Sequence, residues 1–284
     1  MKPLKIVDLN NNPIPIKMKR ILYFIPSVLL IACSGEAETT EKTTNTTSAD
    51  TVAEEIVIPE YSEELLEMFA KSQSNDSTLE ELDSNYIAAL DIEAEESFLS
   101  ADEVNMLKAT LLNNRNTGGN SYQIDDFMRF DSLKQAGKYE EYRNSLDIGM
   151  MARADAAAVQ LVTIDDSTDI FLWLIDYSTY EACPYAAGTT IYGSLFVNRE
   201  FRNTALLGDE SGGGDPPVWG RTLITAVISS EEIKIYELQE WGDEEYNEED
   251  ESYTDITTKE EYQHVLKIVD GYLVETESDY SSSY

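Results

Sequence analysis

The sequence has few of the residues from which catalytic and metal centres are usually built. Its 284 residues include one histidine, His264, and two cysteines, Cys33 and Cys183. A single histidine excludes a multi-histidine metal centre, and two cysteines cannot form a disulfide scaffold or a four-cysteine zinc site. A nucleophilic Cys183–His264 pair is one interpretation, but a buried, packed Cys183 is the commoner outcome for such coincidences.

Basic residues are also scarce. The chain has 20 Lys and Arg against 55 Asp and Glu, a formal net charge of −35. Nucleic acid and anionic phospholipid repel such a polyanion, so we expect no nucleic-acid partner. Apolar residues make up 42% of the chain, with 17 tyrosines, and this is enough for a packed core.

A short apolar segment follows a basic flank near the N-terminus. Lys17, Lys19 and Arg20 precede the run Ile21–Ala32, which is too short to span a bilayer as a helix and is typical of a secretory signal. A start at Met18 would give a more compact basic region, so we expect residues 1–17 to lie upstream of the translated protein.

Leu30-Ile31-Ala32-Cys33 resembles the lipobox of bacterial lipoproteins. The resemblance implies cleavage before Cys33, a diacylglycerol on its thiol and membrane attachment through acyl chains. The acidic run after Cys33 resembles the export signal of lipoproteins displayed on the outer membrane. We therefore expect a lipid-anchored protein of the outer membrane that faces the exterior, with the periplasmic face as the alternative.

Glycine divides the rest of the chain. After Gly35 none occurs until Gly118. The Gly-poor part, rich in Glu, Leu and Ala, indicates helices, and the later part, rich in Tyr, Val, Ile and Thr, indicates strands and turns. The predicted fold class is α+β, with N-terminal helices followed by an antiparallel β-meander that forms a curled sheet or small barrel. The predicted regions are a signal peptide (1–32), a flexible acidic, Thr-rich tether (33–55), a helical region (56–150) and an antiparallel β region (151–284). A single domain formed by the helical and β regions together is the alternative.

Individual elements follow from local signals. Helices are predicted where N-caps, capping boxes and helical spacing occur, over Ser62–Phe69, from Ser77 through Leu82 to Leu90, from Ser100 to Leu111, over Ile124–Gln135 and over Lys138–Asp147. Strands are predicted where apolar or alternating runs lie between turn residues, over Ile170–Ile175, Thr189–Val197, Thr222–Ile228, Glu232–Leu238, Glu261–Val269 and Tyr272–Glu275. The run Ile170–Ile175 is apolar throughout, which predicts a strand buried on both faces.

Two acidic segments are candidate cation sites. The segment 208–220 contains three consecutive glycines, Asp209 and Asp215, and its backbone carbonyls and carboxylates could bind calcium. A plain long hairpin loop is the alternative for this segment. The segment 243–251 has acids at seven of nine positions, including Asp243 and Glu245. It does not fit the EF-hand pattern, and a solvated hairpin tip is the alternative. Calcium is the only cofactor that the sequence suggests.

Aromatic residues cluster around these segments. Tyr185, Trp219 and Trp241 are the candidate ligand-binding residues, because flat rings beside carboxylates provide the stacking and hydrogen bonding that sugars need. Ordinary packing in a sheet is the alternative for each of them.

The sequence contains no recognisable catalytic constellation. We expect a lipid-anchored binding or interaction protein of the cell envelope whose partner is a glycan or an envelope protein. A carboxylate-based hydrolase acting on polysaccharide is the alternative, and it requires two carboxylates that face one cleft. An assembly or immunity-type protein with a basic partner is a third hypothesis.

Overall fold

The computed structural model describes residues 60–71, 81–90, 97–112, 122–180, 185–215, 217–247 and 252–283. The chain divides between Glu54 and Glu55 into two units, and every described residue belongs to the second. The predicted signal peptide, lipobox and tether lie outside the described residues, as does Cys183. Within the described ranges, no helix is long and apolar enough to cross a membrane.

The described part is dominated by one antiparallel sheet. Eight strands pair in sequence order as a meander, and a short ninth strand, β1, pairs with β6. The strands are β1 (Glu81–Leu82), β2 (Met151–Asp165), β3 (Thr168–Thr179), β4 (Tyr185–Val197), β5 (Glu200–Asp215), β6 (Val218–Ile228), β7 (Ile233–Asn247), β8 (Ser252–Val269) and β9 (Tyr272–Ser283). The meander is as predicted, but the molecule is richer in strand than the α+β class implies.

Strand β3 lies at the centre of the core. Every residue from Ile170 to Ile175 is buried, so the prediction of a strand covered on both faces is confirmed. On one of these faces Phe171 packs against Phe69 of the first helix and against Phe196 of β4. Trp173 stacks on Tyr192 of β4 and donates a hydrogen bond from Nε1 to Ser194 Oγ over 2.9 Å.

Within the described residues, five helices precede the long strands. They are α1 (Glu63–Lys71), α2 (Ser84–Ala88), α3 (Ala101–Leu107), α4 (Tyr122–Gln135) and α5 (Tyr139–Asn144). The predicted capping box is present at Ser100 and Glu103. Ser62 caps α1 by accepting from Leu65 N–H. The prediction that α4 is closed by Gly137 is also confirmed, because this glycine has a φ of 65°.

The prediction of a helix that continues through Leu82 is wrong at residues 81 and 82. Glu81 and Leu82 form β1, which pairs antiparallel with Val227 and Ala226 of β6, and helix α2 begins only after the cap residue Asp83. The pairing between β5 and β6 ends at Asp209 and Ile224. Beyond this point, β1 takes the place of β5 along that edge of β6. Tertiary pairing therefore overrides the local helical pattern here.

The sheet curls but does not close. The Asn203 amide on β5 bonds to the backbone of β9, donating to Leu273 O over 2.8 Å and accepting from Leu273 N–H over 3.0 Å. Two hydrogen bonds in this arrangement imitate a strand pair, although β5 and β9 are not neighbours in the strand order. Of the two predicted forms, the described strands therefore adopt the curled sheet.

The predicted glycine-rich loop is instead part of a β-hairpin. Strand β5 continues to Asp215 and β6 begins at Val218, with Gly212, Gly213 and Gly214 paired to Arg221, Gly220 and Trp219. Likewise, Asp243 to Asn247 belong to β7 rather than to a loop. Residues 185–187, 212–215, 218–221 and 240–243 lie together at one end of the sheet. We call this part of the sheet the glycine-rich end.

Candidate functional site

A reciprocal tryptophan–glycine arrangement joins β6 and β7 at the glycine-rich end. Trp219 pairs with Gly242 and Gly220 pairs with Trp241, so a Trp-Gly dipeptide on each strand meets the other. A β-carbon at Gly242 would overlap the Trp219 indole, and one at Gly220 would lie 3.5 Å from Trp241 Cδ1. Each indole therefore lies over the glycine of the neighbouring strand.

Tyr185 and Trp219 share one face of the sheet. Ala187, Gly212 and Arg221 are directly paired across β4, β5 and β6, and directly paired residues point to the same side. Tyr185 and Trp219 each lie two residues from a member of this row, so they point to that side as well. Their strands are two spacings apart, about 10 Å. Tyr185 is 46% exposed and Trp219 is 41% exposed.

Trp241 lies on the opposite face. Trp241 pairs with Gly220, which is next to Arg221 along β6. Successive residues of a strand point to opposite faces, so Gly220 and Trp241 point away from the side of Arg221. Its ring is 40% exposed. The structure thus brings together two of the three predicted ligand-binding residues and separates the third from them. We call the side that carries Tyr185, Trp219 and Arg221 the platform face.

A row of charged residues adjoins the aromatic residues on the platform face. Arg221, Glu240 and Lys259 are directly paired across β6, β7 and β8. Arg221 Nη2 lies 3.4 Å from Glu210 Oε1, and Lys259 Nζ forms an ion pair with Glu240. Both cationic side chains remain nearly half exposed, so they can still reach a ligand. The row offers donors and acceptors side by side.

A shallow cavity of about 200 Å³ continues the platform face beyond this row. It is lined by residues of β6, β7 and β8, among them Leu223, Tyr236, Leu238 and Gln263. Leu223 and Leu238 are directly paired and lie two residues from Arg221 and Glu240. The aromatic, charged and apolar parts therefore follow one another along the same face.

The four predicted calcium ligands do not form one site. Asp209 is buried in the sheet, whereas Asp215 lies six residues further along the same extended strand, about 20 Å away. Asp243 and Glu245 are exposed on β7. Among the described residues, no group of three or more His, Cys, Asp or Glu side chains could hold a metal ion. In the described parts of these segments, Asp209 and Asp215 lie on β5 and Asp243 and Glu245 lie on β7, so all four residues belong to strands.

Asp209 instead belongs to a buried polar row. It is 1% exposed and lies between Thr190 of β4 and Ile224 of β6. Thr190 Oγ1 donates to its Oδ2 over 2.7 Å, and Ser211 also donates to the carboxylate. Burial raises the pKa of Asp209 to about 6, despite these two hydrogen bonds, and the nearby Glu237 carboxylate adds to the shift.

A second buried cluster surrounds His264 on β8. Its Nδ1 lies 2.6 Å from Glu275 Oε1 of β9, and its Nε2 lies 3.8 Å from Glu237 Oε2 of β7. Glu237 is 3% exposed and accepts a hydrogen bond from Gln239. Tyr262 stacks against the imidazole, and its hydrogen bond to Glu260 raises the Tyr262 pKa to about 12. His264 is therefore packed within the sheet, with 6% of its surface exposed.

Sequence reasoning missed several of these residues. Glu237 and Glu240 are inconspicuous among 55 acidic residues, and nothing in their neighbours distinguishes them. The repeated Trp-Gly dipeptide was a usable signal, because two strands that pair antiparallel can cover each glycine with the partner's indole.

Comparisons with protein-family models, with curated proteins and with solved structures found no match to this chain.

Proposed function

We propose that this protein is a lipid-anchored binding protein of the cell envelope that recognises a glycan through the platform face. Cys33 is the proposed anchor, as its lipobox-like context suggests, and the proposed orientation is toward the cell exterior. The observation that carries the proposal is the pair of exposed rings, Tyr185 and Trp219, on one face at the glycine-rich end.

Several physical features favour a glycan over other ligands. The Trp219 ring lies over Gly242, which leaves its other side to solvent as a flat surface for stacking against a sugar ring. The neighbouring charged row supplies groups that bond to hydroxyls. The net charge of −35 disfavours nucleic acid and anionic membrane surfaces.

Glycan-array binding by the full-length, detergent-solubilised protein tests this proposal. Trp219→Ala should reduce binding about tenfold or more, because it removes the largest apolar contact surface of the platform face. Trp241→Ala is the matched control, since it removes the same side chain from the opposite face. Wild-type protein that binds no glycan, or equal binding by wild type and Trp219→Ala, would contradict the proposal.

A second candidate function is hydrolysis by a carboxylate pair. Asp209 and Glu237 flank Ile224 on one face of the sheet, with their backbones about 10 Å apart, and Asp209 has the raised pKa typical of a general acid. Inverting glycosidases separate their carboxyl groups by about 6.5–9.5 Å. Both side chains are almost fully buried, which favours the binding function. Reducing-sugar release that is lost in Asp209→Asn and Glu237→Gln would favour the hydrolase instead.

A further inference from the structure

The balance of charge on the platform face indicates which glycans it fits. The two cationic side chains beside the aromatic rings, Arg221 and Lys259, are each paired with a glutamate, Glu210 and Glu240 respectively. A ligand that lies on this row therefore meets two positive and two negative groups. An anionic ligand finds no excess positive charge there, and the remainder of the chain repels it.

Paired ions suit a neutral ligand with many hydroxyl groups. A hydroxyl both donates and accepts, so it can bond to a guanidinium or ammonium on one side and to a carboxylate on the other. Hydrogen bonds to charged groups are stronger than those between neutral groups. Because each pair is already formed without ligand, little side-chain ordering is required on binding.

The spacing of the rings sets the size of the ligand. Tyr185 and Trp219 lie on strands about 10 Å apart, and the charged row runs parallel to the line that joins them. A single sugar ring cannot cover both aromatic side chains. An extended oligosaccharide that lies across the strands can stack on both and place its hydroxyls along Arg221, Glu240 and Lys259.

We infer that the platform face binds an uncharged oligosaccharide or polysaccharide, oriented across the strands, with its rings on Tyr185 and Trp219 and its hydroxyls on the charged row. This inference rests on the proposed function and specifies the class of ligand. Uronic-acid and sulfated polymers are excluded as preferred ligands.

Titration of the full-length protein with two sets of soluble oligosaccharides tests the inference. The neutral set contains cello-, manno- and malto-oligosaccharides, and the anionic set contains oligogalacturonate and heparin fragments. Neutral binding should strengthen from the monosaccharide to longer chains and should change little between low and high NaCl, since no net charge is neutralised. Glu240→Gln should weaken it about tenfold, because it removes a charged hydrogen-bonding group. Glu231→Gln, in the turn between β6 and β7 at the other end of the strands, should not.

The outcomes separate this inference from the function on which it rests. Preferential binding of the anionic set, with affinity that falls as NaCl rises, would overturn the inference and leave glycan binding in place. Neutral binding that is unchanged in Glu240→Gln would remove the charged row from the site. A wild-type protein that binds neither set would contradict the proposed function itself.

Discussion

The indole of Trp219 lies over Gly242 on the neighbouring strand, and the space for a β-carbon at residue 242 is occupied by that ring. The mirror relationship between Trp241 and Gly220 is looser, with 3.5 Å between the hypothetical β-carbon and Trp241 Cδ1. Two similar dipeptides therefore differ in how tightly each glycine is covered.

This difference predicts unequal effects of two alanine substitutions. Gly242→Ala should force Trp219 off the sheet or strain the hairpin, at a cost of about 1–3 kcal/mol in the free energy of unfolding if the ring stays in place. Gly220→Ala should be tolerated, since its methyl group would make ordinary contact. Urea denaturation and iodide quenching of tryptophan fluorescence measure both responses, and equal behaviour of the two variants would contradict the described packing.

The buried hydrogen bond of Trp173 predicts the cost of removing its acceptor. Ser194→Ala leaves the Trp173 Nε1 donor without its 2.9 Å partner, and it also removes the contact of Ser194 Oγ with Leu107 O. The free energy of unfolding should fall by about 1–3 kcal/mol. Ser132→Ala on the exposed side of α4 is the control and should change it by less than about 0.5 kcal/mol. Urea denaturation of both variants measures the difference.

The raised pKa of Asp209 predicts how stability depends on pH. The folded protein holds this proton to about pH 6, whereas the unfolded chain loses it near the ordinary aspartate pKa of 3.8. The folded state therefore binds more protons between these values, and the contribution of Asp209 to stability falls as pH rises through this window. Asn does not titrate, so Asp209→Asn should gain about 2 kcal/mol relative to wild type between pH 4 and pH 7.

Denaturation at both pH values checks this prediction. Asp165→Asn is a control that should show little change between pH 4 and pH 7, because hydrogen bonds from Ser167 lower the pKa of the exposed Asp165 and so place its titration below this window. A difference between wild type and Asp209→Asn that is the same at pH 4 and pH 7 would mean that folding does not raise the pKa of Asp209.

The lipobox resemblance predicts that Cys33 carries the anchor. Cys33→Ser should abolish incorporation of an alkyne fatty acid and release the protein from the membrane fraction, because several acyl chains are needed for firm attachment. In-gel fluorescence of the labelled protein measures incorporation. The other cysteine supplies the control, since Cys183→Ser should keep the label. Equal labelling of wild type and Cys33→Ser would contradict the prediction that Cys33 is the lipidated residue.

Local sequence signals were enough to predict the meander but not its extent. A continuous apolar run identified the strand around Trp173, and the capping box identified α3. In sequence, the segment with Gly212, Gly213 and Gly214 favours a loop, because consecutive glycines permit backbone geometry that other residues forbid. Here it forms strands, and at Gly213 and Gly214 the neighbouring backbones approach too closely for a residue with a β-carbon.

The candidate site was less accessible from sequence. The rings of Tyr185 and Trp219 could be named, but their shared face depends on the register of β4, β5 and β6. The burial of Asp209 depends on Thr190, which is 19 residues away along the chain. No local pattern encodes such a pairing, so an acid buried in a sheet looks the same in sequence as one at the surface.

The central claim is that a ligand is bound on the side of Trp219 and not on the side of Trp241. The chain has three tryptophans, one buried at 173 and two exposed on opposite faces. Protein labelled with 5-fluorotryptophan should therefore give three ¹⁹F resonances, each assigned by replacing one tryptophan with phenylalanine. On titration with a neutral oligosaccharide, the account predicts that the Trp219 resonance shifts with saturation while those of Trp173 and Trp241 stay in place. A saturable shift of Trp241 with Trp219 unchanged would contradict it.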